Sequence, residues 1–233
     1  MAKAPIVLAV DTPELATAIA WIKATQEWVS VYKLGLEFFL TFGSEGVKAI
    51  KDVTDAEIFL DLKLHDIPNT VAGATKAVAN LTPKYLTVHA TGGSKMISAA
   101  AEAAPQTFIT GVTILTSLSE LDLVDIGFAN NAVESAAKLA KLAIVAGARA
   151  IVCSPLEISA IRYALGSAPV IITPGVRPAD SVSDDQTRTM TPREAIIAGA
   201  SLVVIGRPIT QSWINGASAM SDRASEIASD LFV

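Results

Sequence analysis

The sequence contains one cysteine, Cys153, which excludes an internal disulfide. Its two histidines, His65 and His89, are too few for a histidine-rich metal centre, and no metal is expected. No Lys/Arg-rich run occurs anywhere, and the formal net charge is −5. Nucleic acid demands a basic footprint for its phosphate backbone, so that class of partner is set aside. A small anionic substrate needs only a local basic pocket and stays in consideration. Long hydrophobic runs are also missing. Mean hydropathy is +0.47, yet no apolar run approaches the roughly 18–20 residues of a membrane span. The segment 142–152, for example, is interrupted by Gly147 and Arg149. From Ala2-Lys3 the chain passes into a strand-like run at 6–10 closed by Asp11, too short and wrongly ended for a signal peptide. A cytoplasmic protein with no membrane partner is expected.

What is present is aliphatic. Of the 233 residues, 51% are hydrophobic, enough to build a large core, and no compositional break divides the chain. Short β-branched runs at 6–11, 29–35, 57–64, 85–90, 108–115, 149–154, 170–174 and 202–207 read as strands. Between them lie Ala-rich amphipathic segments at 13–25, 37–51, 68–80, 94–104, 132–146, 156–165 and 191–198, with a last one at 217–231. Strict alternation implies right-handed crossovers and a parallel sheet. Eight such units predict a single-domain (β/α)8 TIM barrel over 1–233, of the α/β class. The competing doubly wound open sheet would carry a Gly-rich turn after its first strand, where this chain has Val10-Asp11-Thr12-Pro13.

One stretch organises the rest. In 59–64, Phe59, Asp61 and Lys63 alternate with Leu60, Leu62 and Leu64, which places the charges on one face of a strand. Charges at the end of a buried strand are costly unless paired, and Asp61 and Lys63 share a face. Asp66 follows where the strand has ended, and Pro68 suits the first turn of a helix. A structural ion pair would also explain this pattern. Barrels of this kind carry their sites at the C-terminal strand ends. The polar residues there are Asp11, Lys33, Asp61, Lys63, His89, Thr116, Ser154, Pro174-Gly175-Val176-Arg177 and Gly206-Arg207-Pro208. His89 is read as an interior histidine, and Cys153 and Ser154 as strand-end packing. The loops after strands seven and eight suit a phosphate: Gly206 permits close backbone approach and Arg207 a forked contact. Arg177 and Gln186 lie in a long loop, 177–191, whose length suggests a lid, with Asp184 and Asp185 as solvated acids.

The run Asp61-Leu-Lys63-Leu-His-Asp66-Ile-Pro-Asn-Thr70 resembles the signature of the orotidine 5'-monophosphate decarboxylase family. So do, in family order, Leu8-Ala-Val-Asp11, Tyr32-Lys33-Leu-Gly35, Val88-His-Ala-Thr-Gly-Gly93, Val112-Thr-Ile-Leu-Thr116-Ser, Thr173-Pro-Gly-Val-Arg177-Pro and Val204-Ile-Gly206-Arg207-Pro. The resemblance spans essentially the whole chain. It implies a cofactor-independent, homodimeric lyase that converts orotidine 5'-monophosphate to UMP, the last step of de novo UMP synthesis. Lys63 would protonate pyrimidine carbon six, and Asp61 would face the departing carboxylate. Lys33 and Asp66 would complete an alternating charge network, Asp66 reaching into the partner subunit with Ile67 beside it. Asp11 and Lys33 would contact the ribose, as would Thr70 across the dimer interface. Thr116 would contact the base, with Ser117 or Ser119 close by. Gln186 and Arg207 would hold the phosphate, assisted by Gly206, and Arg177 would sit in the closing loop.

Three rivals are weighed. A Schiff-base aldolase needs a neutral amine, whereas Asp61 and Asp66 near Lys63 favour an ammonium. A magnesium-dependent sugar-phosphate decarboxylase or aldolase of the same superfamily would carry a carboxylate late in strand two, where this chain has Lys33. A catalytically silent phosphate-binding barrel would show a broken charge network, and here Lys33, Asp61, Lys63 and Asp66 are all present.

Overall fold

The structure is a computed structural model that describes residues 3–178 and 190–231. Its eight strands are β1 (Ala4–Ala9), β2 (Val29–Gly35), β3 (Glu57–Leu64), β4 (Tyr85–His89), β5 (Phe108–Val112), β6 (Ala150–Val152), β7 (Val170–Thr173) and β8 (Leu202–Ile205). They pair in sequence order, all parallel, and β8 pairs back onto β1, closing the barrel. The helices between them begin with α1 (Leu15–Thr25), α2 (Leu36–Lys51), α3 (Pro68–Ala79) and α4 (Gly93–Ala103). They continue with α5 (Glu120–Asp125), α6 (Ala132–Val145), α7 (Ile158–Leu165), α8 (Pro192–Ala198), α9 (Arg207–Thr210) and α10 (Ala217–Leu231). The expected (β/α)8 barrel is therefore present. None of the helices among the described residues is long and apolar enough to cross a membrane.

The departures from expectation gather at the C-terminal strand ends. β1, β5, β6 and β8 stop two or three residues before the sequence pattern does. Val10, Ile114 and Cys153 lie beyond the regular strands yet remain buried, and the Val10 and Cys153 N–H groups still donate to the Lys33 and Ile172 carbonyls of the next strand at 3.0 and 3.3 Å. Hydrophobicity thus continues beyond the regular ladder, because these residues line or underlie the barrel mouth. α5 was not foreseen. It starts at a capping box in which Asp122 N–H donates to Ser119 Oγ (3.2 Å) while Ser119 N–H donates to Asp122 Oδ2 (2.8 Å).

Two apolar layers follow from the pleat. Aliphatic residues such as Leu8, Leu34, Leu60 and Leu86 face outward onto the helices, in the larger core cluster. Val7, Val31, Phe59, Tyr85, Ala150 and Ile172 fill the barrel itself. Phe59, Tyr85 and Phe108 stack edge-on at 5.7 and 5.8 Å between centroids. Lys84 and Arg149 cover the Phe108 ring at 4.5 and 4.1 Å, at the N-terminal end. These rings and cations cover the N-terminal end of the barrel, and the charged residues of the strand ends lie at the other.

Helix-to-sheet spacing is tight at Gly111. A Cβ there would stand 2.8 Å from the Ala143 Cβ on α6, with no flexible side-chain end to give way. Gly111→Val should therefore destabilise the fold by roughly 1–3 kcal/mol. Thermal denaturation should show this as a fall of several degrees in Tm; an unchanged Tm would mean that α6 is not packed against β5 as closely as the structure has it.

Candidate active site

The open end of the barrel holds a cavity of about 310 Å³. Its floor is apolar, made by Phe59, Val112, Val152 and Val204 from four strands. Its charged wall comes from neighbouring strands. In the β1–β2–β3 ladder Ala9 pairs with Lys33, Lys33 with Phe59, and Gly35 with Asp61. This register sets Lys33 and Asp61 side by side on the inner face, with Asp11 just past β1.

These side chains form one continuous array. Lys33 Nζ lies 3.4 Å from Asp11 Oδ1 and 3.7 Å from Asp61 Oδ2, and Lys63 Nζ lies 2.8 Å from the same Asp61 oxygen. Charge alternates along it as minus, plus, minus, plus. Asp11 is the solvent-facing end at 57% side-chain exposure, while Lys33 and Asp61 are at 12% and 13%. Burial by itself raises the Asp61 carboxyl pKa. The Lys33 and Lys63 ammonium groups, with hydrogen bonds from Lys63 and Thr87, outweigh it and hold the carboxyl below its ordinary value. Asp61 is therefore ionised at neutral pH.

The expectation that Asp61 and Lys63 share a face holds, but not through a regular strand. Between Leu60 and Leu64, β3 advances four residues while β4 advances two, from Leu86 to Val88. A two-residue excess preserves the inward–outward parity that a one-residue slip would reverse. Within the excess, Lys63 takes φ 49°, a left-handed conformation unusual for a side chain of this kind.

The remaining expected residues divide. Thr116, Arg177, Gly206 and Arg207 line the cavity. Arg207 opens the single turn α9, where the amides of Ile209 and Thr210 are committed to the Gly206 carbonyl at 2.9 and 3.0 Å. Ser119 is committed to capping α5, so of the three crowded hydroxyls Thr116 is the one at the cavity. Gln186, Asp184 and Asp185 lie outside the described residues. Asp66, Ile67 and Thr70 are exposed and do not line the cavity of the single chain; Asp66 Oδ1 accepts the Ile67 N–H at 2.6 Å.

His89 is half-buried, stacks 5.4 Å from His65 and does not line the cavity. Burial, the neighbouring His65 and Lys63 push its pKa down against the pull of Asp61. Cys153 lines the cavity, but burial and then Glu157 push its thiol up, so it stays neutral. The sequence reading missed Thr87, whose hydroxyl touches both Asp61 and the Lys63 backbone. A polar residue two before His89 in an otherwise apolar strand was the available sign.

With that geometry in view, the comparisons with known proteins are consistent. The profile of the orotidine 5'-phosphate decarboxylase / HUMPS family matches residues 4–221. The chain is 50% identical over 216 residues to orotidine 5'-phosphate decarboxylase of Thermobifida fusca, covering 93% of each. It is 45% identical to the protein of that name from Frankia casuarinae, over 93% of this chain and 85% of that one. Among solved structures, orotidine 5'-phosphate decarboxylase from Lactobacillus acidophilus superposes with a TM-score of 0.83 at 31% identity, over 99% of this chain and 100% of that one. A barrel mouth bearing the Asp61–Lys63 pair, matched along nearly its whole length by one profile, places this chain in the orotidine 5'-phosphate decarboxylase / HUMPS family.

Proposed function

We propose that this protein decarboxylates orotidine 5'-monophosphate to UMP without metal or cofactor. The observation that carries the reading is Lys63 Nζ at 2.8 Å from Asp61, with Lys33 flanking the same carboxylate, above an apolar floor. In the proposed reaction the bond from ring carbon six to the carboxylate breaks, and its electron pair stays on carbon six in an orbital the ring cannot delocalise. The Lys63 ammonium stabilises that pair and transfers a proton to it. Carbon dioxide leaves, and solvent reprotonates the amine. The ammonium is in place before the reaction begins, so no reorganisation is needed when the charge develops. Asp61 beside the substrate carboxylate would crowd like charges, and that repulsion is relieved as carbon dioxide departs.

The phosphate goes to Gly206 and Arg207 at the end of β8, with Arg177 and Gln186 from the loop after β7. Asp11 and Lys33 take the ribose, and Thr116 the base. The exposure of Asp66, Ile67 and Thr70 outside the cavity supports a homodimer in which they complete the partner's site. We assign the enzyme to the cytoplasm, with its nucleotide substrate.

Three outcomes test this. Spectrophotometric loss of orotidine 5'-monophosphate should proceed unchanged in EDTA and fall by about 10³-fold or more in Lys63→Ala. Dependence on magnesium would favour a metal-dependent sugar-phosphate enzyme instead, even though Lys33 occupies the position where such an enzyme carries its metal-holding carboxylate. Arg207→Ala should lower kcat/KM by at least about 10- to 100-fold although it touches no reacting atom, since a charged hydrogen bond contributes about 1.5–3 kcal/mol. A near-normal value would remove Arg207 from phosphate binding. Light scattering should return twice the 24.2 kDa chain mass; a stable, fully active monomer would refute the shared site.

A further inference from the structure

We propose that Thr87 is a positioning residue for the decarboxylation, its single hydroxyl fixing Asp61 and Lys63 relative to each other. This rests on the function proposed above. Thr87 is the only β4 residue between Leu86 and Val88, the two that pair with Leu60 and Leu64. It therefore stands alone opposite the irregular stretch Asp61-Leu62-Lys63, where ladder bonds are interrupted. Its side chain replaces them. Lys63 N–H donates to Thr87 Oγ1 at 2.8 Å, and Thr87 Oγ1 donates to Asp61 Oδ1 at 3.0 Å. Thr87 itself is fully buried, which shields its hydroxyl from solvent on the side away from the cavity.

The two bonds act on different things. The first satisfies the backbone amide of a residue held at φ 49°, a conformation that persists only where the surroundings enforce it. The second orients the Asp61 carboxylate so that its other oxygen, Oδ2, faces Lys63 at 2.8 Å and Lys33 at 3.7 Å. One hydroxyl thus sets both the direction of the Lys63 side chain and the rotation of the carboxylate it meets. The groups facing Asp61 are Lys33 from β2, Lys63 from β3 itself, and Thr87 from β4, with His89 farther along β4 also feeling its charge. Donation from Thr87 is among the influences that hold the Asp61 carboxyl low, so its removal must move the carboxyl upward.

The test uses the full chain and Thr87→Val, Thr87→Ala and Thr87→Ser. Val keeps the shape and loses the hydroxyl, Ala loses it without β-branching should Val fail to fold, and Ser retains it. The expected result is a fall in kcat of about 10- to 100-fold for Val or Ala, with KM for orotidine 5'-monophosphate within about threefold of wild type. Ser should restore most of the loss. With aspartate labelled at the carboxyl carbon and Asp61→Asn to assign the signal, NMR titration of the free protein should place the Asp61 midpoint at higher pH in the Val or Ala variant. Wild-type kcat and an unmoved midpoint in a folded variant lacking the hydroxyl would overturn the proposal, as would Ser being as impaired as Ala. If the wild-type protein itself leaves orotidine 5'-monophosphate untouched, the functional reading fails, while the NMR shift still decides whether Thr87 positions Asp61.

Discussion

A carboxylate and an ammonium 2.8 Å apart at the rim of an apolar barrel set the terms for everything around them. Burying one ion costs several kcal/mol even after relaxation. Two unit charges 4 Å apart attract by about 4 kcal/mol at an effective dielectric near 20. One partner would therefore do little more than offset the burial of Asp61. Two ammonium groups and a buried hydroxyl tip the balance, which is why the carboxyl lies below its ordinary value despite desolvation. The array is electrically neutral as a whole, and its local fields are large because the charges cannot rearrange.

The barrel supplies that rigidity cheaply. Adjacent strands β2, β3 and β4 bring Lys33, Asp61, Lys63 and Thr87 together through backbone register, and no loop is needed to hold them. Small residues make the room. A Cβ on Gly35 would stand 3.2 Å from Asp11 Oδ1 and 3.3 Å from Lys33 Nζ, so glycine at the end of β2 keeps that ion pair accessible. The edge-on rings of Phe59, Tyr85 and Phe108 fill the barrel below the charges, with Phe59 also forming part of the cavity floor. Fold and site are thus the same construction, read at two ends.

Much of this was legible in the sequence because period two and charge cost are local rules. The eight strands, the placement of Asp61 with Lys63, and Asp11, Lys33 and Arg207 at the mouth all follow from them. The strand ends did not, since Ile114 and Cys153 stay buried beyond the regular ladder and hydropathy cannot tell where that ladder ends. The irregularity at Lys63 was hidden for a similar reason: a two-residue excess preserves parity, so the pattern 59–64 looks regular. Thr87 was overlooked because its importance arises only from that hidden excess in the neighbouring strand. Asp66, Ile67 and Thr70 show the opposite limit, as residues prominent in the motif that find no role in the cavity of one chain.

The two walls of the cavity differ in a way that matters for the chemistry. Lys33 and Lys63 are already neutralised by Asp61 and Asp11, so a bound anion gains little from that side in the ground state. Arg207, just past β8 and so next to β1, lines the same cavity and carries the planar fork suited to phosphate. A substrate with an anionic group at each end would then be anchored by its distant phosphate and pressed, at its carboxylate, against a wall that does not welcome further negative charge. Uniform attraction at both ends would tighten binding without lowering the barrier. In the proposed reaction, anchoring the substrate by its phosphate would let attraction to Lys63 grow only as charge gathers on the ring carbon, which is when it would lower the barrier.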